Sequence, residues 1–379
     1  MLFRSRPQEI TVAEALKSVG YATGHFGKWH LGPVRPGSPV NPGASGFDTW
    51  LSAGNFYDND PVLSRNGKAV QCEGESSMVV VDAALDFIET QAKADRPFLA
   101  VVWFGSPHGP HRAADRDLAV YEDQPKKDRN WLGEITGMDR AFGKLRQGLR
   151  DLGIHENTIL WYTSDNGGLR PASSGGRGKK GQIYDGGLRV PAIFEWPARY
   201  AGHRVTDVPS VTSDIYPTLI DLLDIRMPDQ PPLDGISLRL LLEGEMLRRP
   251  EPIGFWDYPA GGHPVRAQQL NAELLEAQKL GKKVTPHTFG KDAHEVKGGY
   301  PQDTFPGHAA WLDWPWKLHR IEKKGGKGNV RLELYNLAED PMEKTTVADA
   351  HADRAAAMRK ALEAWQTSVV RSLNGEDYG

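Results

Sequence analysis

Apolar residues along this chain recur in two rhythms, and the alternation between them predicts the order of elements. Thr11-Val-Ala-Glu14 is a capping box, a Thr and a Glu placed to satisfy the free amides of a first helical turn; Gly20 supplies the stop. Tyr21 to Phe26 then reads as a short strand leading into a glycine-bounded loop. Val80, Ala84, Phe87 and Ile88 recur at helical spacing, which predicts a helix from a Ser76 or Ser77 cap to about Lys93. After Pro97, Phe98 to Phe104 is continuously apolar, the pattern of a strand buried on both faces in a parallel sheet. The unit repeats. Asp128 to Leu152 places Ile135, Met138, Phe142, Leu145 and Leu149 on one helical stripe, and Gly153 ends it. Thr158 to Thr163 and Val190 to Trp196 read as strands, and Ser213 to Asp224 as a helix.

Strands alternating with helices predict an α/β fold, a doubly wound and mostly parallel sheet flanked by helices. Residues 33–75 are rich in Gly, Pro and Asn and predict surface loops with little regular structure. The composition shifts after about residue 250. Residues 259–308 carry many Gly, Pro, His and Lys around a short helix at Ala267 to Leu280. Ala309 to Ile321 and Arg331 to Leu337 then read as strands joined by the Lys323 to Asn329 turn, and Ala350 to Leu373 as a closing helix. The expected division is a main α/β domain over 1–258, then a loop region with a small carboxyl-terminal α+β subdomain over 259–379. No internal repeat of fixed period is present.

Composition narrows the chemistry. Of 379 residues, 39% are hydrophobic and 25% charged, with a net charge of −3, which fits a globular protein and does not favour nucleic acid as a partner. No apolar run is long enough to span a bilayer. Met1 to Gln8 carry two arginines and no apolar core of a secretory signal, so a true start there implies a cytoplasmic protein and a truncated start removes that inference. Cys72 is the only cysteine, which excludes an intramolecular disulfide and a thiolate metal cluster; no histidine-bearing motif surrounds it, so it reads as a bystander.

Four segments carry candidate chemistry. Gly24-His-Phe-Gly-Lys-Trp-His-Leu-Gly32 sets Lys28 and His30 two residues apart, so that in extended backbone they share a side. A fixed cation beside a proton carrier suits an anionic ester. Ser106-Pro-His-Gly-Pro-His111 puts two histidines on a proline-stiffened loop; they either transfer protons and hold an anion or are ordinary loop residues. Ser164-Asp-Asn-Gly-Gly168 puts a carboxylate, Asp165, and an amide, Asn166, at a strand end. Both are hard oxygen ligands suited to Ca²⁺ or Mg²⁺, and the same residues also make plain turns. Gly176 to Gly181 matches G-x-G-x-x-G, but without a strand before it or a helix after it the dinucleotide reading fails. What remains is a flexible loop presenting Arg177, Lys179 and Lys180, for which solvation is the ordinary explanation. Taken together, Lys28, His30, His108, Asp165, Asn166 and Lys180 follow separate strands of one presumed sheet and are expected to converge on a cleft at the strands' carboxyl ends. Cations, imidazoles and hard-metal ligands so placed suit a tetrahedral oxyanion ester.

At this point the chain resembles the type I sulfatases (arylsulfatase-like) of the alkaline phosphatase superfamily. The resemblance runs from Thr11-Val-Ala-Glu-Ala-Leu-Lys through Gly-Lys-Trp-His-Leu-Gly32 to Ser164-Asp-Asn-Gly. It continues through Tyr184-Asp-Gly-Gly-Leu-Arg-Val-Pro191, Asp234-Gly-Ile-Ser-Leu and Leu334-Tyr-Asn-Leu-Ala-Glu-Asp-Pro341, in the family's order. It implies that Lys28 contacts the sulfate and the nucleophile. His30 is implied as the base that expels sulfate from a covalent intermediate, and His108 as a sulfate ligand that helps protonate the leaving alcohol. Asp165 and Asn166 are implied to ligate a divalent metal, usually calcium, with magnesium second. Lys180 is implied to bind sulfate, with Lys179 an adjacent alternative.

The resemblance also implies an amino-terminal Asp-Asp metal pair and a Cys/Ser-x-Pro-x-Arg motif whose first residue becomes formylglycine. Neither occurs in the 379 residues. The reading that follows is a sulfuric ester hydrolase acting on sulfate monoesters, sulfated sugars by family habit, with the earlier part of its active site missing from this chain. Its rivals are an inactive fragment or pseudoenzyme that binds sulfated glycans, and a phosphodiesterase or phosphonate hydrolase of the same superfamily. A complete family member is expected in the periplasm or outside the cell. The chain alone is expected to be inactive and, lacking a central strand, poorly stable.

Overall fold

The computed structural model describes residues 8–56, 58–170, 173–227, 230–258, 267–282, 295, 298–322 and 329–377. It falls into two compact units, residues 1–156 with 261–295, and residues 157–260 with 296–379. These units do not follow a single break near residue 258.

The first unit is built on a five-stranded sheet in the order β4-β3-β2-β1-β5, with β1 at Ala22–Lys28, β2 at Thr49–Ala53, β3 at Val62–Arg65, β4 at Lys68–Gln71 and β5 at Phe98–Trp103. β1 runs parallel to both β2 and β5, and the outer pairs β2–β3 and β3–β4 are antiparallel. The helices are α1 (Val12–Ser18), α2 (Ser76–Lys93), α3 (Asp115–Leu118), α4 (Lys126–Asp151) and, far along the chain, α8 (Ala267–Lys279). The capping box forms as expected: Glu14 N donates to Thr11 Oγ1 at 3.1 Å and Thr11 N to Glu14 Oε2 at 2.8 Å. The cap of α2 is Glu75 instead of a serine; its carboxylate accepts from the amides of Ser77 and Met78, where a negative charge also meets the helix dipole. The apolar stripe of α2 buries Val80, Ala84, Phe87 and Ile88, with Phe87 against Phe26 of β1.

Residues 33–75 correct the expectation of irregular loops, since β2, β3 and β4 lie within them. Their runs are four or five residues long, too short for a period-2 pattern to stand out from the glycines and prolines around them. One signal was present. Asn66-Gly67 joins β3 to β4 with φ of 49° and 90°, the paired left-handed conformation of a two-residue hairpin turn. The short helix α8 belongs with these strands: Gln278 both donates to and accepts from the backbone of Ala69, and Asn271 donates to Val62 O. That packing draws 261–295 into the first unit.

The second unit holds a two-stranded pair, β6 (Leu160–Thr163) and β7 (Ala192–Glu195), and a four-stranded antiparallel sheet in the order β11-β10-β9-β8. The latter is made of β8 (Ile253–Asp257), β9 (Gly307–Asp313), β10 (Trp316–Glu322) and β11 (Val330–Asn336). Its helices are α5 (Asp185–Leu188), α6 (Ile215–Leu222), α7 (Arg239–Glu243) and α9 (Ala352–Leu373). The presumed single strand Ala309 to Ile321 is two strands, β9 and β10, folded back at Trp314-Pro315, where proline removes a ladder donor. The expected 323–329 turn and most of 259–308 lie outside the described residues.

Two strands differ from their apolar reading. β5 ends the five-stranded order, and its residues are half-buried, with Trp103 47% exposed. β6 pairs antiparallel with β7 and is half-buried throughout. An apolar run reports capacity for burial on both faces; the neighbours decide whether it is used. The fold is therefore α/β with a mixed sheet flanked by helices and an antiparallel carboxyl-terminal sheet. Among the described residues no helix is long and apolar enough to cross a membrane.

Candidate functional site

In the first unit, parallel pairing brings two of the motifs to one sheet end. Gly27 pairs with Trp103 and Lys28 with Ala53, so β1 and β5 finish side by side. The chain keeps to β2 beyond the strand: Trp29 N donates to Ala53 O at 2.7 Å and His30 N to Gly54 O at 2.8 Å. Gly27 is required there, because a Cβ on it would lie 1.9 Å from the Trp103 carbonyl and its φ is +108°. Trp29 is buried and donates its indole N–H to Val40 O, which anchors the segment between Lys28 and His30. His30 itself has φ of +50°, so the strand alternation that put Lys28 and His30 on one side stops at His30.

The loop after β5 packs close by. Gly105 lies against Phe56, where a Cβ would sit 2.1 Å from the Phe56 carbonyl oxygen. His108 Nδ1 lies 2.8 Å from Gly109 O; a carbonyl can only accept, so Nδ1 carries the proton. Lys28, His30 and His108 thus share one end of one sheet; of the six residues expected to converge, Asp165, Asn166 and Lys180 belong to the second unit.

Sequence reasoning left His111 out of the site. Its Nδ1 lies 3.1 Å from Glu134 Oε2 on α4, and Glu134 also accepts the Arg112 amide. The Glu134 carboxylate is almost fully buried. Burial raises its pKa, opposed by the Arg112 amide and His111 and reinforced by the charge of Glu75. The sequence signal for such a pair is weak, since the two residues are 23 positions apart on different elements.

In the second unit a different pair of motifs meets. Gly167 N donates to Gly187 O at 2.9 Å, and Lys180 N donates to Gly168 O at 2.8 Å. Asp165 and Asn166 are therefore tied to the lysine loop. Lys180 is half-buried at this junction, whereas Lys179 is exposed. The Asn166 amide nitrogen donates to Gly167 O, which leaves Oδ1 as an acceptor beside the exposed Asp165 carboxylate. These are two hard oxygen donors. They fit a Ca²⁺ or Mg²⁺ site in kind but fall short of the roughly six to eight oxygens calcium takes. Among the described residues no group of three or more His, Cys, Asp or Glu is placed to hold a metal.

The lysine loop has little regular structure and hangs on buried charges of the antiparallel sheet. Lys317 Nζ reaches Asp185 Oδ1 at 2.7 Å and Glu343 Oε1 at 3.1 Å, with Lys317 and Glu343 both fully buried. His319 Nε2 lies 2.7 Å from Glu343 Oε1, and the Asp185 amide donates to Glu343 Oε2. Arg177 bonds the Tyr335 hydroxyl and Glu343 O, and stacks over the Tyr184 ring at 3.9 Å. Burial alone would raise the pKa of Glu343, but the His319 hydrogen bond and the Lys317 charge prevail and hold it down at about 2. Burial, then hydrogen bonding to Glu333, pushes the Tyr184 hydroxyl up to about 12.

Known proteins share this architecture. The chain is 32% identical over 267 residues to the ulvan-active sulfatase of Formosa agariphila, covering 65% of this chain and 51% of that protein. It is 28% identical over 287 residues to human N-acetylgalactosamine-6-sulfatase, covering 64% and 52%. It thus spans about half the length of the curated relatives it matches. The crystal structure of Ps i-CgsB in complex with k-i-k-neocarrahexaose superposes with a TM-score of 0.75 at 21% identity, covering 97% of this chain and 77% of that one. The phosphonate monoester hydrolase of Agrobacterium radiobacter superposes with a TM-score of 0.54 at 20% identity, covering 96% and 80%. The sulfatase family model matches residues 4–225, which is more than half of the chain. The chain therefore belongs to the sulfatase family.

Proposed function

We propose that the chain carries the sulfate-ester site of a carbohydrate sulfatase, a sulfuric ester hydrolase in its complete form. The observation that carries this reading is the gathering of Lys28, His30 and His108 at one sheet end, with Asp165, Asn166 and Lys180 tied together in the second unit. Relatives named for ulvan and for N-acetylgalactosamine 6-sulfate make a sugar sulfate the substrate class to test first.

Each residue has a role its chemistry allows. Lys28, at the sheet end of the first unit, offers positive charge to sulfate oxygens, where negative charge grows as the ester bond breaks, and Lys180 offers the same in its own unit. His108, with Nδ1–H fixed on Gly109 O, offers Nε2 to a sulfate oxygen or, when protonated there, to the departing alcohol. His30 is the proton-accepting imidazole beside it. Lys180 is preferred over Lys179 because its backbone is pinned to Gly168 and its side chain is half-buried. Asp165 and Asn166 would hold calcium, which when bound would supply positive charge at the end of β6. The formylglycine implied by the resemblance is not among the 379 residues, so no covalent step is assigned to this chain. That favours a second reading, in which the chain binds sulfated glycans without turnover.

The test is calorimetric titration of the purified chain with inorganic sulfate, alongside an aryl sulfate turnover assay. Saturable binding is expected, weakened about tenfold or more in both Lys28→Ala and Lys180→Ala, because each removes a charge-assisted contact. Binding left unchanged in both variants would end the sulfate-ester reading. Turnover abolished by His108→Ala would show that the chain is catalytic by itself.

A further inference from the structure

His111 and Glu134 are joined in a way that the sulfate site does not explain. His111 Nδ1 faces a carboxylate at 3.1 Å, and Glu134 is anchored from its other oxygen by the Arg112 amide. A carboxylate only accepts, so Nδ1 carries the proton, and in the neutral ring Nε2 keeps its lone pair. The same assignment holds for His108 through Gly109 O. Both imidazoles meet at Gly109. One bonds its carbonyl, and the other brings Nε2 to 3.8 Å from where a Cβ would stand.

The backbone is shaped to keep this pair. A Cβ on Gly133 would lie 2.6 Å from Ala113 Cβ, so α4 lets the loop descend onto Glu134 only because a glycine sits there. Asp117, nearly fully buried and paired with Arg140 on the same helix, fixes the next turn of the loop. A buried carboxylate that receives a backbone amide and an imidazole is the arrangement that sets a histidine's tautomer and orientation.

We propose that His111 is a substrate-contacting residue. Its Nε2 accepts a hydrogen bond from a hydroxyl of the alcohol that bears the sulfate, next to the sulfate held at His108. Glu134 is its positioning residue. The inference rests on the sulfate-ester reading and deepens it, since it assigns the ligand a free hydroxyl near the ester, as a sugar has. An acceptor nitrogen takes a hydroxyl proton and rejects another anion.

Two measurements test this. The first is the ring ¹⁵N spectrum of the histidines in the full chain. His111 is expected as the Nδ1–H tautomer. Glu134→Gln, whose amide can donate where the carboxylate cannot, is expected to move it toward Nε2–H. The second is titration with inorganic sulfate and with N-acetylgalactosamine 6-sulfate. His111→Ala is expected to weaken the sugar sulfate about tenfold, the worth of one hydrogen bond, and to leave inorganic sulfate within about twofold. Gly109→Ala, which adds only a methyl facing Nε2, should act in the same direction without removing any polar group. His111 in the Nε2–H form, or equal effects on both ligands with sulfate binding intact, would overturn this proposal alone. A chain that binds neither ligand would overturn the sulfate-ester reading, and the substrate role of His111 with it.

Discussion

At the end of β1, the chain through Trp29 and His30 is held by main-chain hydrogen bonds to Ala53 and Gly54, whereas the loop bearing Lys179 and Lys180 adds buried side-chain charges to its scattered main-chain bonds. The first arrangement uses main-chain groups, which do not titrate. The second depends on Lys317, Glu343 and His319, each of which must keep its partner and its charge state. A sheet end places chemistry by geometry; an irregular loop must be fastened by an interaction strong enough to replace the missing ladder.

The contrast breaks most visibly at Glu343. Glu343→Ala leaves Lys317 and His319 buried without their shared acceptor, and is expected to cost about 3–5 kcal/mol in denaturant unfolding. Asp58→Ala removes a surface ion pair with Arg112 and an exposed hydrogen bond from the Gln268 amide, and is expected to cost about 1 kcal/mol or less. Equal costs would mean that the buried hub does not hold its unit together.

The matching test at the sheet end is Gly27→Ala. Its methyl would meet the Trp103 carbonyl from a left-handed backbone, and a loss of about 2–4 kcal/mol is expected. A variant as stable as the parent would show that β1 and β5 are not paired as described.

Acid sharpens the comparison. Burial lowers His25 to about 3 in the first unit, and burial with the neighbouring His319 lowers His308 to about 4 in the second. The unfolded chain takes up these protons first, so stability is full above about pH 6.5 and falls as the pH drops below it. At pH 5 the His25 contribution is expected to be about 2 kcal/mol, read as a lower midpoint in a urea titration. Glu343 adds a second loss confined to the second unit. Its depressed pKa gives stability that is present above its unfolded value of about 4.3 and disappears as the pH falls toward 2. A midpoint flat from pH 7 to 5 would contradict the neutral, buried state of His25.

The smallest effect is expected from metal. Asp165 and Asn166 offer two oxygens, so 1 mM Ca²⁺ or its removal by chelator should move the melting temperature of this chain by less than about 1 °C. A larger rise that disappears in Asp165→Ala would mean that further donors join them.

The sequence by itself determined the longer helices, the stripe of α2, the capping box at Thr11, the apolar strands and the order of the motifs; on α4 the buried face is Gly133, Glu134, Gly137, Ala141, Leu145 and Leu149, shared with the expected stripe only at Leu145 and Leu149. The features so determined are local or periodic, written within a turn or two of chain. It also placed Lys28, His108, Asp165 and Lys180 in recognisable segments, because glycines and prolines mark where a strand ends. Only the tertiary structure decided the rest. It showed that 33–75 holds three strands, that β6 pairs antiparallel with β7, and that α8 closes on β3 and β4. It alone joined His111 to Glu134 and hung the lysine loop from Lys317 and Glu343. Each of these is a pairing between distant positions, made by backbone groups or single polar atoms that leave no period in the chain. Hydrophobic rhythm reports what a segment can bury, and only its folded neighbours fix which partner it meets.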